Sequence, residues 1–244
     1  MMGRIKVILW DMDGTLLNFA EAERCAVRTC FEIFGLGECT DEMLSRYAAV
    51  NRKCWERLER GELSKPEALT ERFREFFTEY HINTDIAPQF NAEYQIRLGD
   101  TICFEPGALE VVKSLKGRVR QCAVTNGTRM VQERKLARSG LDRLFDEVFI
   151  SDIVGFEKPA KGFFDAVWEQ IGAYAKDEVL IVGDSLTSDM KGGSQAGILC
   201  CWYNPKGMKN QTSVPVDFEI QRLSQVLDIL ELEQVTKTGI DTRE

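Results

Sequence analysis

Histidine is nearly absent from this chain: His81, in YHIN, is the single imidazole among 244 residues. Catalysis or metal binding by paired histidines is therefore excluded, and a Ser-His-Asp arrangement has one position left to it. His81 reads as a structural or solvated residue. Eight cysteines are present, at 25, 30, 39, 54, 103, 122, 200 and 201, but none forms a CxxC pair or a zinc spacing. Several lie in apolar runs, where a reduced thiol behaves as a small hydrophobe. No segment reaches the roughly 20 apolar residues of a membrane-spanning helix. The apolar run after the N-terminus is too short for a signal peptide and leads straight into acidic residues, so a cytoplasmic protein is expected. No basic run occurs, and 39 acidic against 31 basic residues leave a formal charge of -8. Neither a nucleic-acid polymer nor an anionic membrane is expected as a partner. A small anionic substrate is compatible if a bound cation reverses the potential locally.

Short apolar runs at 5–10, 119–124, 147–151, 179–183 and 199–203 are each bounded by Gly, Asp or Asn, and most are separated by helical patterns. Continuous apolar runs suit strands covered on both faces, and their alternation with helices suits a parallel α/β sheet. Pro106 opens a predicted helix over 106–116 and Thr128 caps one over 129–139, closed by Gly117 and Gly140. Residues 18–98 differ, being helical almost throughout. Ala22, Ala26, Cys30 and Phe34 form one stripe, and Leu44, Tyr47, Cys54 and Leu58 a second. SKPE at 64–67 is a capping box opening a third helix, and a weaker fourth runs over 86–98. The expected architecture is a Rossmann-like core, residues 1–17 and 99–235, interrupted by a helical cap at 18–98. A frayed tail covers 236–244. An insertion at that point predicts a lid, with Gly99 as a candidate hinge.

The strongest chemical signal is WDMDGTL at 10–16, directly after the first strand. Asp11 and Asp13 stand two apart, pointing the same way in an extended segment, about 6.6 Å apart along the chain. Alone, such a motif reads equally as an acidic turn capping the next helix. Three further blocks follow predicted strands. TNGT at 125–128 offers a hydroxyl, an amide and backbone N–H groups to an anion. EKP at 157–159 carries Lys158, and GDSLTSD at 183–189 carries Asp184 and Asp189. Carboxylates, a lysine and a threonine thus gather at the C-terminal edge of one sheet, where open α/β folds place ligands. Two carboxylates 5 Å apart repel by about 3 kcal/mol at an effective dielectric of 20. Such a cluster calls for a cation, and all-oxygen donors favour Mg²⁺. One carboxylate can then act as a nucleophile toward phosphorus, with Lys158 countering the charge.

These four blocks, in this order, resemble the haloacid dehalogenase superfamily of phosphohydrolases, specifically subfamily I with an inserted helical cap, over essentially the whole chain. The resemblance implies Asp11 as nucleophile and Asp13 as general acid/base, whose backbone carbonyl also meets Mg²⁺. Thr125, Asn126 and Gly127 would hold the phosphoryl group, and Lys158 would steady the intermediate. Asp184 would ligate Mg²⁺, and Asp189 would support the metal or Lys158. Dehalogenases of the superfamily lack the second Asp, so phosphoryl transfer is implied. A narrower resemblance, in NRKCWERLERGELS at 51–64 and TNGTRMVQERKLARSGL at 125–141, is to pyrimidine-nucleotide 5′-phosphatases, which act on UMP, dUMP and dTMP. A base could stack on Trp55 or Phe19, which otherwise serve the cap's own core. Competing readings are a phosphatase or phosphomutase of small sugar or organic phosphates, and a non-catalytic metal- or phosphate-binding module. The Cys54/Arg60 spacing of cysteine phosphatases falls in a helical, glutamate-bearing stretch and carries no weight. The expected partner is a small phosphorylated metabolite, and no oligomeric state is implied.

Overall fold

The VILW segment, Val7–Trp10, forms β1 with all four residues buried, as an uninterrupted apolar run requires. In this computed structural model, which describes residues 5–238 and only the backbone of 232–238, β1 lies inside a six-stranded sheet. Its partners are β2 (Arg120–Thr125), β3 (Glu147–Ile150), β4 (Val179–Gly183), β5 (Leu199–Tyr203) and β6 (Phe218–Ile220). The order is β3-β2-β1-β4-β5-β6 and every pairing is parallel. The chain leaves β1 to build one side of the sheet and returns with β4 on the other. The crevice between β1 and β4 is therefore the topological switch point, where a ligand site is expected in an open parallel sheet. All five expected strands are present, with shifts of one or two residues at three of them. β6 was not expected; three residues with a half-exposed, edge-type burial pattern give too short a signal.

Ten α-helices are described: α1 (Phe19–Ile33), α2 (Asp41–Glu59), α3 (Lys65–Glu79), α4 (Ala87–Asp100), α5 (Ala108–Leu115), α6 (Arg129–Ser139), α7 (Ser151–Val154), α8 (Lys161–Ile171), α9 (Lys191–Ala196) and α10 (Gln225–Thr238). The frayed tail expected for 236–244 falls mostly outside the described residues. The chain divides into two compact units. One takes the chain up to Asn18, Phe104–Arg129 and everything from Ser139; the other takes Phe19–Cys103 and Met130–Arg138. Most of α6, grouped with the sheet by its position in the sequence, thus belongs to the helical unit.

Alternation along the central strands builds the core of the sheet unit. Val7, Leu9, Cys122, Val124, Val179 and Ile181 pack on one face with Phe163, Phe164 and Val167 of α8. On the other face Trp10 donates its indole N–H to Gln121 Oε1 at 3.0 Å, and Gln121 Nε2 donates to the Val112 carbonyl of α5 at 3.0 Å. A buried glutamine is thereby satisfied at both ends. α5 begins two residues later than the predicted helix. Gly107, at φ 77°, is its N-cap, and Pro106 precedes the helix rather than opening it.

The helical unit closes on a cluster of rings. Phe73 lies 4.9 Å from Phe90 and stacks on Tyr47 at 5.0 Å, while Phe77 meets Phe90 edge-on at 5.0 Å. Ala22, Ala26, Cys30, Leu44 and Tyr47 of the two stripes read from the sequence join this cluster, with Phe34 against it, whereas Cys54 and Leu58 pack separately with Val50 and Ala68. The capping box is present: Ser64 N–H and Oγ donate to Glu67 Oε2 at 2.8 and 2.6 Å. His81 is exposed at φ 56° and ends the turn after α3, so its role is backbone geometry at a helix terminus. Gly99 lies inside α4, where an added Cβ would stand 3.1 Å from Arg134 Cβ. Glycine there permits close packing of α6 on α4, a different reason for its presence than a hinge.

A polar chain crosses this apolar unit. Asn51 Nδ2 donates to Glu23 Oε1 at 2.6 Å, Arg72 Nη1 to Asn51 Oδ1 at 2.9 Å, and Arg72 Nη2 to Asn91 Oδ1 at 2.9 Å. Burial raises the Glu23 carboxyl from the usual 4.5 to about 7, against the pull of Asn51, Arg72 and Lys135. Folded Glu23 therefore holds its proton through a window, about pH 4.5 to 7, in which the unfolded chain has lost it. Its contribution to stability declines as pH rises across that window, by at most about 3 kcal/mol. Glu23→Gln is expected to remove this slope, measured as hydrogen-exchange protection of α1–α4 at pH 5 and pH 8. An unchanged slope would reject the assignment.

Candidate active site

The DMDGTL loop leaves β1 in a tight turn: Gly14 N–H donates to Leu17 O at 2.8 Å and Leu17 N–H to Met12 O at 2.8 Å. Gly14 sits at φ 93°, and a Cβ there would lie 2.6 Å from Asp184 Oδ2. Only glycine gives both the left-handed backbone and the room for that carboxylate. Asp11 is thereby fixed at the end of β1, 6% exposed, with its N–H donating to Val182 O of β4 at 2.9 Å. Asp13 is half-buried, and its backbone bridges to Leu17.

Lys158 reaches this point from the loop before α8. Its ammonium donates to Asp11 Oδ1 at 2.8 Å, Asp189 Oδ1 at 2.6 Å and the Val124 carbonyl at 2.8 Å. All three donors of the ammonium are used, and the side chain is 1% exposed. Asp189 is turned inward by a π-helical turn, Leu186–Met190, and its Oδ2 accepts from Ser185 N–H at 3.2 Å. Asp184, at the tip of β4, keeps accessible surface, and its backbone carbonyl accepts from Trp202 Nε1 at 2.9 Å. Among the described residues, Asp11, Asp184 and Asp189 offer carboxylate oxygens all within 4.8 Å of one another.

Three carboxylates against one ammonium leave excess negative charge. At 4.8 Å, each like-charge pair costs about 3 kcal/mol at an effective dielectric of 20. Burial first, then Asp189, push the Asp11 carboxyl up to about 7 against the opposing pull of Lys158. Desolvation of the carboxyl, then Asp11 and Asp189, likewise raise Asp184 well above the ordinary aspartate range, although the residue as a whole is exposed. Burial opposes the charge on Lys158, but Asp11 and Asp189 outweigh it and hold the ammonium above the usual lysine range. Hard oxygen donors carrying unrelieved negative charge fit a divalent cation.

The other expected residues fall at the same edge. Thr125 ends β2 and is 2% exposed, and Asn126 and Gly127 form the turn before α6. Thr128 stands at the N-cap of α6 without a side-chain cap bond, and the Arg129 N–H is taken instead by Asp152 Oδ2 at 3.0 Å. Asn126 commits its side chain to Lys158: Nδ2 donates to Lys158 O and Oδ1 accepts from Lys158 N–H, both at 2.7 Å. The structure adds Thr15 to the residues expected from the sequence. Thr15 Oγ1, 0% exposed, donates to Asp11 Oδ2 at 3.0 Å and fixes the carboxylate plane from the other side. The sequence signal for it lies in WDMDGTL, a hydroxyl four residues after the first Asp. Gly183 is also structural to the site, since a Cβ there would meet Asp189 Cγ at 2.4 Å. Gly183→Ala is expected to displace Asp189 and lower turnover about 10²-fold with a folded sheet, checked by initial rates and circular dichroism.

The profile of the haloacid dehalogenase-like hydrolases matches residues 5–197, and the chain belongs to that family. It is 34% identical over 232 residues to the HAD-hydrolase YfnB of Bacillus subtilis, covering 95% of this chain and 98% of that one. It is 34% identical over 236 residues to the pyrimidine 5′-nucleotidase PynA of Streptococcus pneumoniae, again covering 95% and 98%. Identity to the pyrimidine 5′-nucleotidase YjjG of Escherichia coli is 28%, covering 91% and 96%. The magnesium-bound crystal structure of YfnB superposes with a TM-score of 0.88 at 33% identity, covering 93% of this chain and 99% of that one. The protein is thus an enzyme, a hydrolase of the phosphomonoesterase type. Among the described residues no helix is long and apolar enough to cross a membrane.

Proposed function

We propose that the protein is a Mg²⁺-dependent phosphatase working through a phosphorylated Asp11, with pyrimidine nucleoside 5′-monophosphates such as dUMP, dTMP and UMP as substrates. The observation that carries the chemistry is the Lys158 ammonium joined to Asp11 and Asp189 at 2.8 and 2.6 Å, beside Asp184. Asp11 and Asp184, with the Asp13 backbone, would hold the cation, and Asp189 would hold Lys158. A bound Mg²⁺ would supply charge neutralisation for the approach of a phosphate dianion.

In the first half-reaction an Asp11 carboxylate oxygen bonds to phosphorus while the bond from phosphorus to the nucleoside 5′-oxygen breaks. Asp13 gives its proton to that departing oxygen. Thr15 and Lys158 keep the attacking carboxylate oriented, so little reorganisation is needed. In the second, Asp13 takes a proton from water, the water oxygen bonds to phosphorus, and the Asp11–phosphorus linkage breaks to give inorganic phosphate. Thr125 and the backbone of Asn126 and Gly127 would cradle the phosphoryl oxygens. The nucleotide reading is supported by 34% identity to PynA over almost the full length of both chains. Eight free cysteines support a reducing, cytoplasmic compartment.

The test is phosphate release from dUMP, dTMP, UMP, AMP, hexose phosphates and phosphoglycolate, with Mg²⁺ and with chelator. Mg²⁺-dependent turnover strongest on the pyrimidine monophosphates is expected. Preference for sugar phosphates would keep the chemistry and reject the nucleotide assignment. Turnover undiminished by chelator would reject the metal.

A further inference from the structure

Asn126 has a second role available that its place in the TNG turn does not suggest. Its side-chain amide behaves like a peptide group paired with Lys158, donating to the backbone carbonyl and accepting from the backbone N–H, both at 2.7 Å. The same Nδ2 reaches Ser188 Oγ at 3.3 Å, in the turn that delivers Asp189. One side chain therefore ties together the loops after β2 and β4 and the loop that carries Lys158. At the other end of the lysine, the ammonium is bound by groups from β1, β2 and the turn after β4. Lys158 is thus held at both its backbone and its tip.

We infer that Asn126 is a positioning residue for Lys158, setting where the ammonium stands relative to Asp11 and Asp189, and that its side chain does not bind the phosphoryl group. An amide with both ends engaged by one backbone unit has its preferred directions used, whereas a phosphoryl ligand would need its N–H groups turned to the substrate. A lysine that is a point charge on a flexible stem gives its full effect only where the stem is anchored. Without the Asn126 amide the Lys158 backbone loses two bonds at once, and the loop gains freedom while Asp11 keeps its place on β1. The inference rests on the proposed phosphatase chemistry for its kinetic part only.

The experiment is a double-mutant cycle of Asn126→Ala and Lys158→Met, read as kcat and KM on p-nitrophenyl phosphate and as inhibition by inorganic phosphate. Asn126→Ala alone is expected to lower kcat about 30-fold with KM and the phosphate inhibition constant nearly unchanged. In the Lys158→Met background the same change is expected to cost less than about threefold, because its effect passes through the lysine. Costs that multiply, or phosphate inhibition weakened in step with kcat, would overturn the inference and make Asn126 a direct ligand. Amine labelling of Lys158 read by mass spectrometry needs no substrate: protection is expected in the parent, and labelling about tenfold faster in Asn126→Ala. Equal labelling rates also reject the inference. If Asn126→Ala does not fold, Asn126→Asp keeps the shape and the acceptor but loses the donor, and is expected to show the same selective loss of kcat and faster labelling. Absence of any phosphomonoester turnover in the parent sinks the proposed function while labelling still decides the role of Asn126.

Discussion

Asp11→Asn is expected to lose phosphomonoester turnover on the order of 10⁴-fold while folding at least as stably as the parent. The amide is nearly the same size, and its oxygen can still accept from Thr15 Oγ1, which donates to Asp11 Oδ2 at 3.0 Å. What disappears is the nucleophile. Stability is expected to hold or rise because the change removes one of three carboxylates that crowd within 4.8 Å. Phosphate release and a thermal melt check the two halves separately. Turnover within tenfold of the parent would mean that another group attacks phosphorus. A large drop in melting temperature would mean that the Asp11–Lys158 pair, not charge crowding, dominates the energetics here.

Lys158→Met is expected, unlike Asp11→Asn, to lose stability as well as activity. The ammonium is buried between Asp11 and Asp189 and also serves the Val124 carbonyl. Removing one partner from a buried ion pair leaves uncompensated charge and typically costs about 3–5 kcal/mol. Loss of a fixed cation from the reacting centre is expected to lower kcat by about 10² to 10³-fold. The destabilisation is expected to be partly recovered by millimolar Mg²⁺, since a cation that binds only the folded cluster shifts the equilibrium toward it. Urea midpoints with Mg²⁺ and with chelator measure this directly. A midpoint unchanged from the parent would reject Lys158 as the main counter-ion of the cluster.

The parallel sheet was legible because its central strands are buried on both faces, so β1, β4 and β5 appear as unbroken apolar runs. β6 was not, since an edge strand of three residues carries no periodicity to read. The apolar stripes of α1 and α2 were legible, but the Glu23–Asn51–Arg72–Asn91 chain was not. Polar residues on four different helices look like surface residues until the packing shows them inward. α6 carries its caps in the sequence, yet nothing local tells with which unit it packs.

At the site, residue type and order along the chain specified which groups would gather: Asp11, Lys158, Asp184 and Asp189 each follow a strand of one parallel sheet, so their loops must emerge at one edge. That much is determined locally, by strand periodicity and turn chemistry, and needs no knowledge of distances. Only the tertiary structure decided who bonds to whom. Asp189 turns to Lys158 through a π-helical turn, Gly14 clears space for the Asp184 carboxylate of another loop and Gly183 for Asp189 six residues on, Thr15 closes on Asp11, and Asn126 clasps the Lys158 backbone. These are contacts between segments up to 147 residues apart. Their geometry depends on how the strands twist and register against one another, and a linear pattern of residues carries the period of each strand but not the register between them.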